Sequence, residues 1–470
     1  HCLEAARTYR DAAKAALAER LTTHAIDTQQ RAAHGFAWIA TSVAALEAVS
    51  DWLTANAGGS PLDQQVAHLI FAETLGQLVG GLPMGQNELL RPSDLGVQDA
   101  ARALEAASSS VLLADHASTR LAVAQALAEG QSPSESFYDA ELDSIRDQFR
   151  RFTQAEILPH AHNWHLANDL IPDATVAAMA DLGTFGVCIP EAFGGLGLSK
   201  LVMCVVTEEL SRGWIGAGSL GTRSEIAGEL IAMGGTLAQK THWLPKIASG
   251  KVLPTAVFTE PDTGSDLGSL QTRARREAAS WEIHGAKTWI THASRSDLMT
   301  MLVRTRPEEK GYAGLSMLLV PKLRGTEADP FPTPGMSGSE IEVLGYRGMR
   351  EYALQFDGMI APDDALLGGE EGQGFRYILD GLNAERTLIA AECIGDAYWF
   401  IDRARKYAAS REVFGRPIGQ NQGVQFPIAD SYIETEAANL MRFKACALFD
   451  AGQPCGAESN MAKYLAAKAS

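Results

Sequence analysis

Two stretches of the sequence bring together residue types able to hold a flat, phosphorylated ligand: FTEPDTGSDLGS (258–269) and KTWITHASRSD (287–297). The turn at Gly264–Ser265 exposes backbone N–H groups beside a hydroxyl, which suits phosphate or carbonyl oxygens. Strand alternation places Trp289 and Thr291 on one face, an aromatic wall with a hydroxyl next to it. A heteroaromatic ring needing one hydrogen bond fits such a wall. A plain hairpin with a buried Trp and a turn-capping Ser has the same spacing, so these residues alone leave both readings open. No G-x-S-x-G elbow, H-E-x-x-H pair or Walker loop occurs. GGLGLS (194–199) lacks the lead-in strand that Rossmann glycines require.

Strands must carry both stretches, and the chain supplies them between Val252 and Gly368. PTAVFTE, WEIHGAKTWITH, LMTMLVRT, LSMLLVP and YALQFDG are short runs separated by turns, the pattern of an antiparallel sheet. Helical periodicity flanks them. RYILDGLNAERTLIAAECIGDAYWFIDRARKYAASR (376–411) predicts one long helix and QFPIADSYIETEAANLMRFKACALFDAG (425–452) a second. A helical region from Tyr138 to about Gly250 is interrupted by the loop IPEAFGGLGL. Further upstream, residues 32–53, 63–81 and 98–117 predict helices, with an irregular, turn-rich connection at 81–96 and a polar linker, EGQSPSES, at 129–136. The expected domains are 1–136, 137–252, 253–370 and 371–470. His34, His68 and His160 fall in helical patterns as packing or surface residues, and Met299 and Met301 as strand packing. Glu370–Glu371 precede a helix, where negative charge is favourable.

The chain has 470 residues, 46% of them hydrophobic, which excludes a disordered or fibrous protein and allows roughly three domains. Its net charge of −17 provides no basic footprint for nucleic acid or an anionic membrane. Six scattered cysteines without a C-x-x-C pair indicate neither zinc, nor any other metal site, nor a disulfide framework, and fit a reducing compartment. No uninterrupted apolar run reaches about eighteen residues and no signal peptide is visible, so a cytoplasmic location is expected. His1 implies a start that lies upstream or was altered, and the uncapped end AESNMAKYLAAKAS an incomplete chain.

The stretches at 258–269 and 287–297 resemble the flavin-binding sheet domain of the acyl-CoA dehydrogenase family. The resemblance runs from Tyr138 to Ser470. It includes MADLGTFGVCIPEAFGGLGLS with EELSR, GTLAQKTHWLPKIASGKV, MIAPDDALLGGEEGQGFRYILDGLNAER and SREVFGRPIGQNQGVQFPIAD, in the family's order. It implies an α+β, mainly helical fold: a helical domain, an antiparallel β domain and a helical bundle, here with an extra N-terminal helical domain. The cofactor implied is FAD. Thr259 resembles the threonine bonding the isoalloxazine, with Phe258 beside it on the same strand, and Ser265 the serine contacting flavin phosphate or the CoA pantetheine. Trp289 and Thr291 resemble the pair flanking the ring, Thr291 near N5. Arg411, Phe414 and Gln422 resemble residues that hold the adenine and pyrophosphate end of a neighbouring subunit's flavin, which implies at least a homodimer. Phe258, Thr263 and the MRE run (349–351) depart from the family pattern, where smaller residues and a Ser-Asp-Thr-like run are usual.

The activity implied is α,β-dehydrogenation of a CoA thioester, with electrons passing to an electron-transfer flavoprotein. A carboxylate removes the α-proton while the β-hydrogen leaves as hydride to flavin N5; the base needs a raised pKa, which desolvation supplies. Glu385 matches one of the family's two placements for the base, the other lying beyond Ser470, and Arg386 resembles a CoA-contacting arginine. On residues alone, Glu385 pairing with an arginine of its own helix is the alternative. The N-terminal extension, TRSEIAGELI and MRE resemble the branch of the family that oxidises (2S)-methylsuccinyl-CoA to mesaconyl-CoA in the ethylmalonyl-CoA pathway. A distal carboxylate near a flavin calls for a cation, and Arg223 is the first candidate, Arg350 the second. Rivals are dehydrogenases for short, branched or long acyl chains, an acyl-CoA oxidase, and, from another class, a flavin-free scaffold.

Overall fold

In the computed structural model, residues 1–132 and 139–470 are described, and they form two compact units that cut across the sequence order. The linker expected at 129–136 lies, from residue 133 on, outside the described residues, as does Tyr138.

The first unit takes in residues 1–141, 397–445 and 456–470. It opens with helices α1 (Cys2–Thr23), α2 (Gln30–Ala55) and α3 (Pro61–Gly80). Ser60 and Asp63 close a reciprocal capping box on α3, with Pro61 at its first turn. The connection expected to be irregular contains an antiparallel hairpin, β1 (Leu82–Gly85) with β2 (Glu88–Leu90), and the short α4 (Pro92–Leu95). The helix expected over 98–117 breaks at Ser108 into α5 (Gln98–Ala107), α6 (Ser109–Leu112) and α7 (His116–Ala128). Helix α2 is long and apolar enough to cross a membrane. Thr41, Ser42 and Glu47 interrupt its apolar run, which is why counting uninterrupted residues overlooks it. Here Ile39, Val43, Leu46, Val49 and Trp52 of this helix are buried within the unit.

Long-range contacts tie this N-terminal segment to the end of the chain. The later part of α14 (Gly374–Ser410), the hairpin β10 (Glu412–Val413) and β11 (Arg416–Pro417), most of α15 (Gln422–Asp450), and α16 (Gly456–Ala469) complete the unit. Arg120 bridges Glu73 and, at 2.7 Å, Asp430. Lys444 reaches Glu47 at 3.4 Å, and Trp38 packs edge-on to Tyr464 at 4.6 Å. Residues 1–132 therefore share a core with helices α14 to α16.

The second unit spans 142–396 with 446–455. Helices α8 (Ala140–Phe152), α9 (Leu158–Ala167), α10 (Asp173–Asp181), α11 (Lys200–Ser211), α12 (Ile215–Gly234) and α13 (Leu237–Ala248) lead into a seven-stranded sheet. Its strands are β3 (Pro254–Val257), β4 (Arg273–Glu277), β5 (Ser280–Thr291), β6 (Leu298–Arg304), β7 (Leu315–Pro321), β8 (Met336–Ile341) and β9 (Glu351–Pro362). Their order is β3-β6-β4-β5-β9-β8, with β7 on β6. Most pairs are antiparallel, as expected, but β3 runs parallel to β6, and β4 touches β6 in parallel. The long excursion through β4 and β5 brings the chain back in the direction of β3. Strands β4 and β8 escape the sequence pattern because RARRE and MSGSEI lack apolar alternation, and β8 is an edge strand.

Strands β6 and β7 read as continuous apolar runs because both faces are covered. Met299, Met301, Val303, Leu318 and Val320 fill one core, while Leu298, Leu302, Leu315, Met317 and Leu319 pack with α12 and α13 in the other. Helix α12 is buried nearly all round, and small residues let its neighbours approach. A Cβ on Gly218 would lie 2.0 Å from Ser211 Oγ, and one on Gly216 2.8 Å from the Arg347 carbonyl. That close packing fixes the one cation α12 carries, Arg223.

Candidate active site

The loop after β3 is pinned at both ends by one buried ion pair. Lys287 on β5, 1% exposed, donates to the Phe258 carbonyl at 2.8 Å and lies 3.1 Å from Glu260 Oε1. Glu260 in turn accepts the N–H groups of Gln271 and Thr272 at 2.7 and 2.8 Å. Burial lowers Lys287 to about 8, while Lys287 and these N–H donors outweigh burial and hold Glu260 below the usual carboxylate range. Strand β3 ends at Val257, so Phe258 and Thr259 stand just past it and not on it. The Thr259 carbonyl accepts the Thr288 N–H at 3.0 Å, joining the loop to β5. At the tip, Ser265 is exposed, no atom lies within 4 Å of a Cβ built on Gly264, and the N–H groups of Gly264 and Ser265 have no acceptor among the described residues. This is an open donor turn, pinned at its base.

Strand β5 carries a bulge between Lys287 and Ile290, and Trp289 sits in it at φ 58°. The bulge breaks the simple alternation that placed Trp289 and Thr291 on one face. Trp289 is 56% exposed, which removes the buried-Trp hairpin alternative, while Thr291 is buried and donates its hydroxyl to Glu351 Oε2 at 3.1 Å. An open indole face, the exposed Ser265 hydroxyl, the half-buried Thr259 hydroxyl and free N–H donors form a donor set that fits a flavin ring and its phosphate.

Behind Thr291 lies a buried polar cluster around Arg223. Ser219 and Arg223, four apart on α12, share a face, and Arg223 Nη2 lies 3.4 Å from both Ser219 Oγ and Tyr346 Oη. Tyr346 also contacts Ser219 Oγ directly. Among the described residues no carboxylate comes within 4 Å of Arg223, and its buried Nε has no acceptor. Burial opposes its charge, but Tyr346, Glu385, Glu392 and Glu351 together outweigh that and hold it protonated. Glu351 on β9 lies opposite Thr291 in the sheet register and is 5% exposed; among the described residues its Oε1 has no donor. Glu392 on α14, 2% exposed, accepts from Thr222 Oγ1 at 2.7 Å. Burial pushes Glu351 and Glu392 each up to about 7, and Tyr346 up to about 12. His292 is buried at φ 66° with neither ring nitrogen partnered among the described residues, and burial lowers it to about 3, so it is neutral.

Glu385, seven residues before Glu392 on α14, is half-buried and its field reaches Arg223 and Glu392. It makes no ion pair within 4 Å among the described residues, against the alternative of a same-helix arginine partner. Arg386 makes one long contact, 3.5 Å to Asn383 Oδ1. Arg350 is a correction. At φ 63° it turns to Glu327 at 3.1 Å, Glu340 at 3.6 Å and the Asn168 carbonyl at 3.1 Å, so its charge is already taken. Arg411, Phe414 and Gln422 belong to the first unit and are exposed, Phe414 completely, at φ 55° on the tip between β10 and β11. The sequence reading missed Ser219, Thr222, Tyr346, Glu351 and Glu392; TRSEIAGELI, read as a mark of one branch of the family, and MRE, a departure from the family pattern, were the available signals.

Three family profiles match the chain in order: acyl-CoA dehydrogenase N-terminal domain over residues 139–251, middle domain over 255–359 and C-terminal domain over 372–470. The chain belongs to the acyl-CoA dehydrogenase family. It is thus an oxidoreductase acting on CH–CH bonds, in a flavoprotein family. This acyl-CoA dehydrogenase is 46% identical, over 97% of its own length and 86% of the relative's, to (2S)-methylsuccinyl-CoA dehydrogenase of Cereibacter sphaeroides. Among solved structures it is similar to a glutaryl-CoA dehydrogenase in complex with glutaryl-CoA, at 32% identity and TM-score 0.65, covering 71% of this chain and 82% of that one. A glutaryl-CoA dehydrogenase from Mycobacterium smegmatis in complex with FADH2 is 25% identical at TM-score 0.65, covering 72% of this chain and 83% of that one.

Proposed function

We propose that this acyl-CoA dehydrogenase uses FAD to oxidise (2S)-methylsuccinyl-CoA to mesaconyl-CoA, a step of the ethylmalonyl-CoA pathway. The observation that carries the reading is Arg223: a guanidinium in a buried cluster, its Nε without an acceptor and no carboxylate within 4 Å among the described residues. A buried cation in that state wants an anion, and the distal carboxylate of a dicarboxylic thioester supplies one. The 46% identity to a methylsuccinyl-CoA dehydrogenase supports the same substrate.

Thr259, Ser265 and Trp289 would hold FAD, which when bound supplies the acceptor for a hydride. Glu385 is the proposed base. An α-C–H is too weak an acid unless donors polarise the thioester oxygen and water is excluded. Anchoring the far carboxylate on Arg223 orients the acyl chain so that its α-proton meets a fixed carboxylate. Arg386 takes part in holding CoA. The reduced enzyme hands its electrons to an electron-transfer flavoprotein. The enzyme works as a homodimer or larger homo-oligomer in which exposed Arg411, Phe414 and Gln422 serve a neighbouring copy's cofactor.

The test is anaerobic bleaching of the bound flavin by methylsuccinyl-, glutaryl-, isovaleryl- and butyryl-CoA, in the wild type and in Arg223→Gln. Rapid bleaching by methylsuccinyl-CoA is expected. In Arg223→Gln its kcat/KM falls by about ten- to hundred-fold, the worth of a charge-assisted hydrogen bond, while butyryl-CoA changes little. Unchanged methylsuccinyl-CoA oxidation by the variant would refute the anchor.

A further inference from the structure

We propose that Glu351 and Glu392 are specificity-determining carboxylates that take up a proton when a substrate carboxylate reaches Arg223, making the preference for dicarboxylic thioesters dependent on pH. This rests on the reading of Arg223 as the anchor.

The argument is one of charge count in a dry cluster. Arg223, from α12, faces Glu351 from β9, Glu385 and Glu392 from α14, and the phenol of Tyr346. Glu392 faces Glu385 as well as Arg223, and the charged neighbour of Glu351 is Arg223. His292, whose surroundings include Arg223, Arg295, Lys322 and Arg324, stays neutral and contributes no charge. A substrate carboxylate would be a fourth acid around one cation in a low-dielectric interior, and all four cannot remain ionised. The two buried ones give way first. Among the described residues the close partners of each are neutral hydroxyls, Thr291 for Glu351, and Thr222 with Ser219 for Glu392. Glu351 Oε1, buried with no donor among the described residues, suits a carboxyl group better than a carboxylate. Burial already holds both near neutrality, so a proton is available to them under ordinary conditions. At higher pH their charges neutralise Arg223 and repel the incoming carboxylate.

The experiment uses flavin-loaded enzyme and two unsaturated products as ligands: mesaconyl-CoA, which carries the distal carboxylate, and crotonyl-CoA, which lacks it. Calorimetric titration at pH 7 in buffers of different ionisation enthalpy counts the protons exchanged. Net uptake approaching one proton is expected for mesaconyl-CoA beyond that for crotonyl-CoA. Its Kd should rise by up to about ten-fold per pH unit above neutrality while that of crotonyl-CoA follows no such trend. In the isosteric double variant Glu351→Gln/Glu392→Gln the extra uptake and the pH dependence should vanish. Equal proton counts for the two ligands in the wild type, or an extra uptake that survives in the double variant, would overturn the inference. Arg223→Gln separates the two readings. If the variant keeps the preference for mesaconyl-CoA, the anchor itself is wrong; if it loses that preference while the double variant keeps its uptake, only the proton-linked role falls.

Discussion

Replacing Lys287 by Met tests whether one ion pair holds the loop that carries Thr259 and Ser265. The ammonium group is 1% exposed and its acceptors, the Phe258 carbonyl and Glu260, lie at 2.8 and 3.1 Å. Methionine keeps the length of the stem and removes the charge. Glu260, 6% exposed, would then be a buried carboxylate facing the N–H groups of Gln271 and Thr272 and the Thr272 hydroxyl, with no cation. Breaking a buried pair by removing one partner costs about 3–5 kcal/mol, and the surviving N–H donors place this case at the lower end, about 3 kcal/mol. At about 2–4 °C per kcal/mol for a unit of this size, Tm should fall by about 6–12 °C. Thermal unfolding would be followed by near-ultraviolet circular dichroism and by fluorescence of released flavin, the latter expected to precede the former. Lys287→Met/Glu260→Gln should recover part of the loss, because no buried charge is stranded. Melting within 1 °C of the wild type with full flavin content would refute the reasoning.

Glu351 and Glu392 are raised from 4.5 to about 7, so the native state keeps protons that the unfolded chain releases. Their stabilising effect is fully present below about pH 4.5 and is lost as pH climbs from there through 7, by about 3 kcal/mol for each group; the difference in Tm between pH 5.5 and 8 should shrink in Glu351→Gln. Trp289→Ala, at an exposed position, should change Tm by no more than a few degrees yet weaken flavin retention at least about ten-fold, measured by dialysis and absorbance. Gly218→Ala puts a methyl 2.0 Å from Ser211 Oγ and 2.9 Å from the Thr207 carbonyl, prying α12 from α11. A loss of about 1–3 kcal/mol and a raised KM for the dicarboxylic substrate are expected, read by melting and steady-state kinetics.

Local pattern carried the reading of the elements further than that of the site. The long helices and the apolar strands announce themselves because burial on one or two faces writes a period into the residues, as in LMTMLVR. Strands β4 and β8 were invisible because an exposed or edge strand need not be apolar. Motifs in a fixed order gave Thr259, Ser265 and Trp289, all within two short stretches of chain. The cluster around Arg223 is different, since Ser219, the pair Tyr346 and Glu351, and Glu392 come from three stretches of chain far apart in sequence. Nothing in the string distinguishes a buried glutamate from a solvated one in so acidic a protein. Arg350 illustrates the reverse error: its residue type suited an anchor, but its positive φ turns the side chain to Glu327 and Glu340.

The first unit is assembled from three separate pieces of chain, and this bears on how the protein is made. A ribosome delivers residues 1–141 ahead of 142–396, but their partners, residues 397–445 and 456–470, emerge only afterwards. Between those moments the N-terminal helices lack part of their core, with Trp38 waiting for Tyr464 and Arg120 for Asp430. The second unit, nearly continuous from 142 to 396, can collapse meanwhile. Residues 1–141 are thus synthesised before the second unit yet complete their core after it, and the apolar helix α2 is the stretch most in need of a chaperone while it waits.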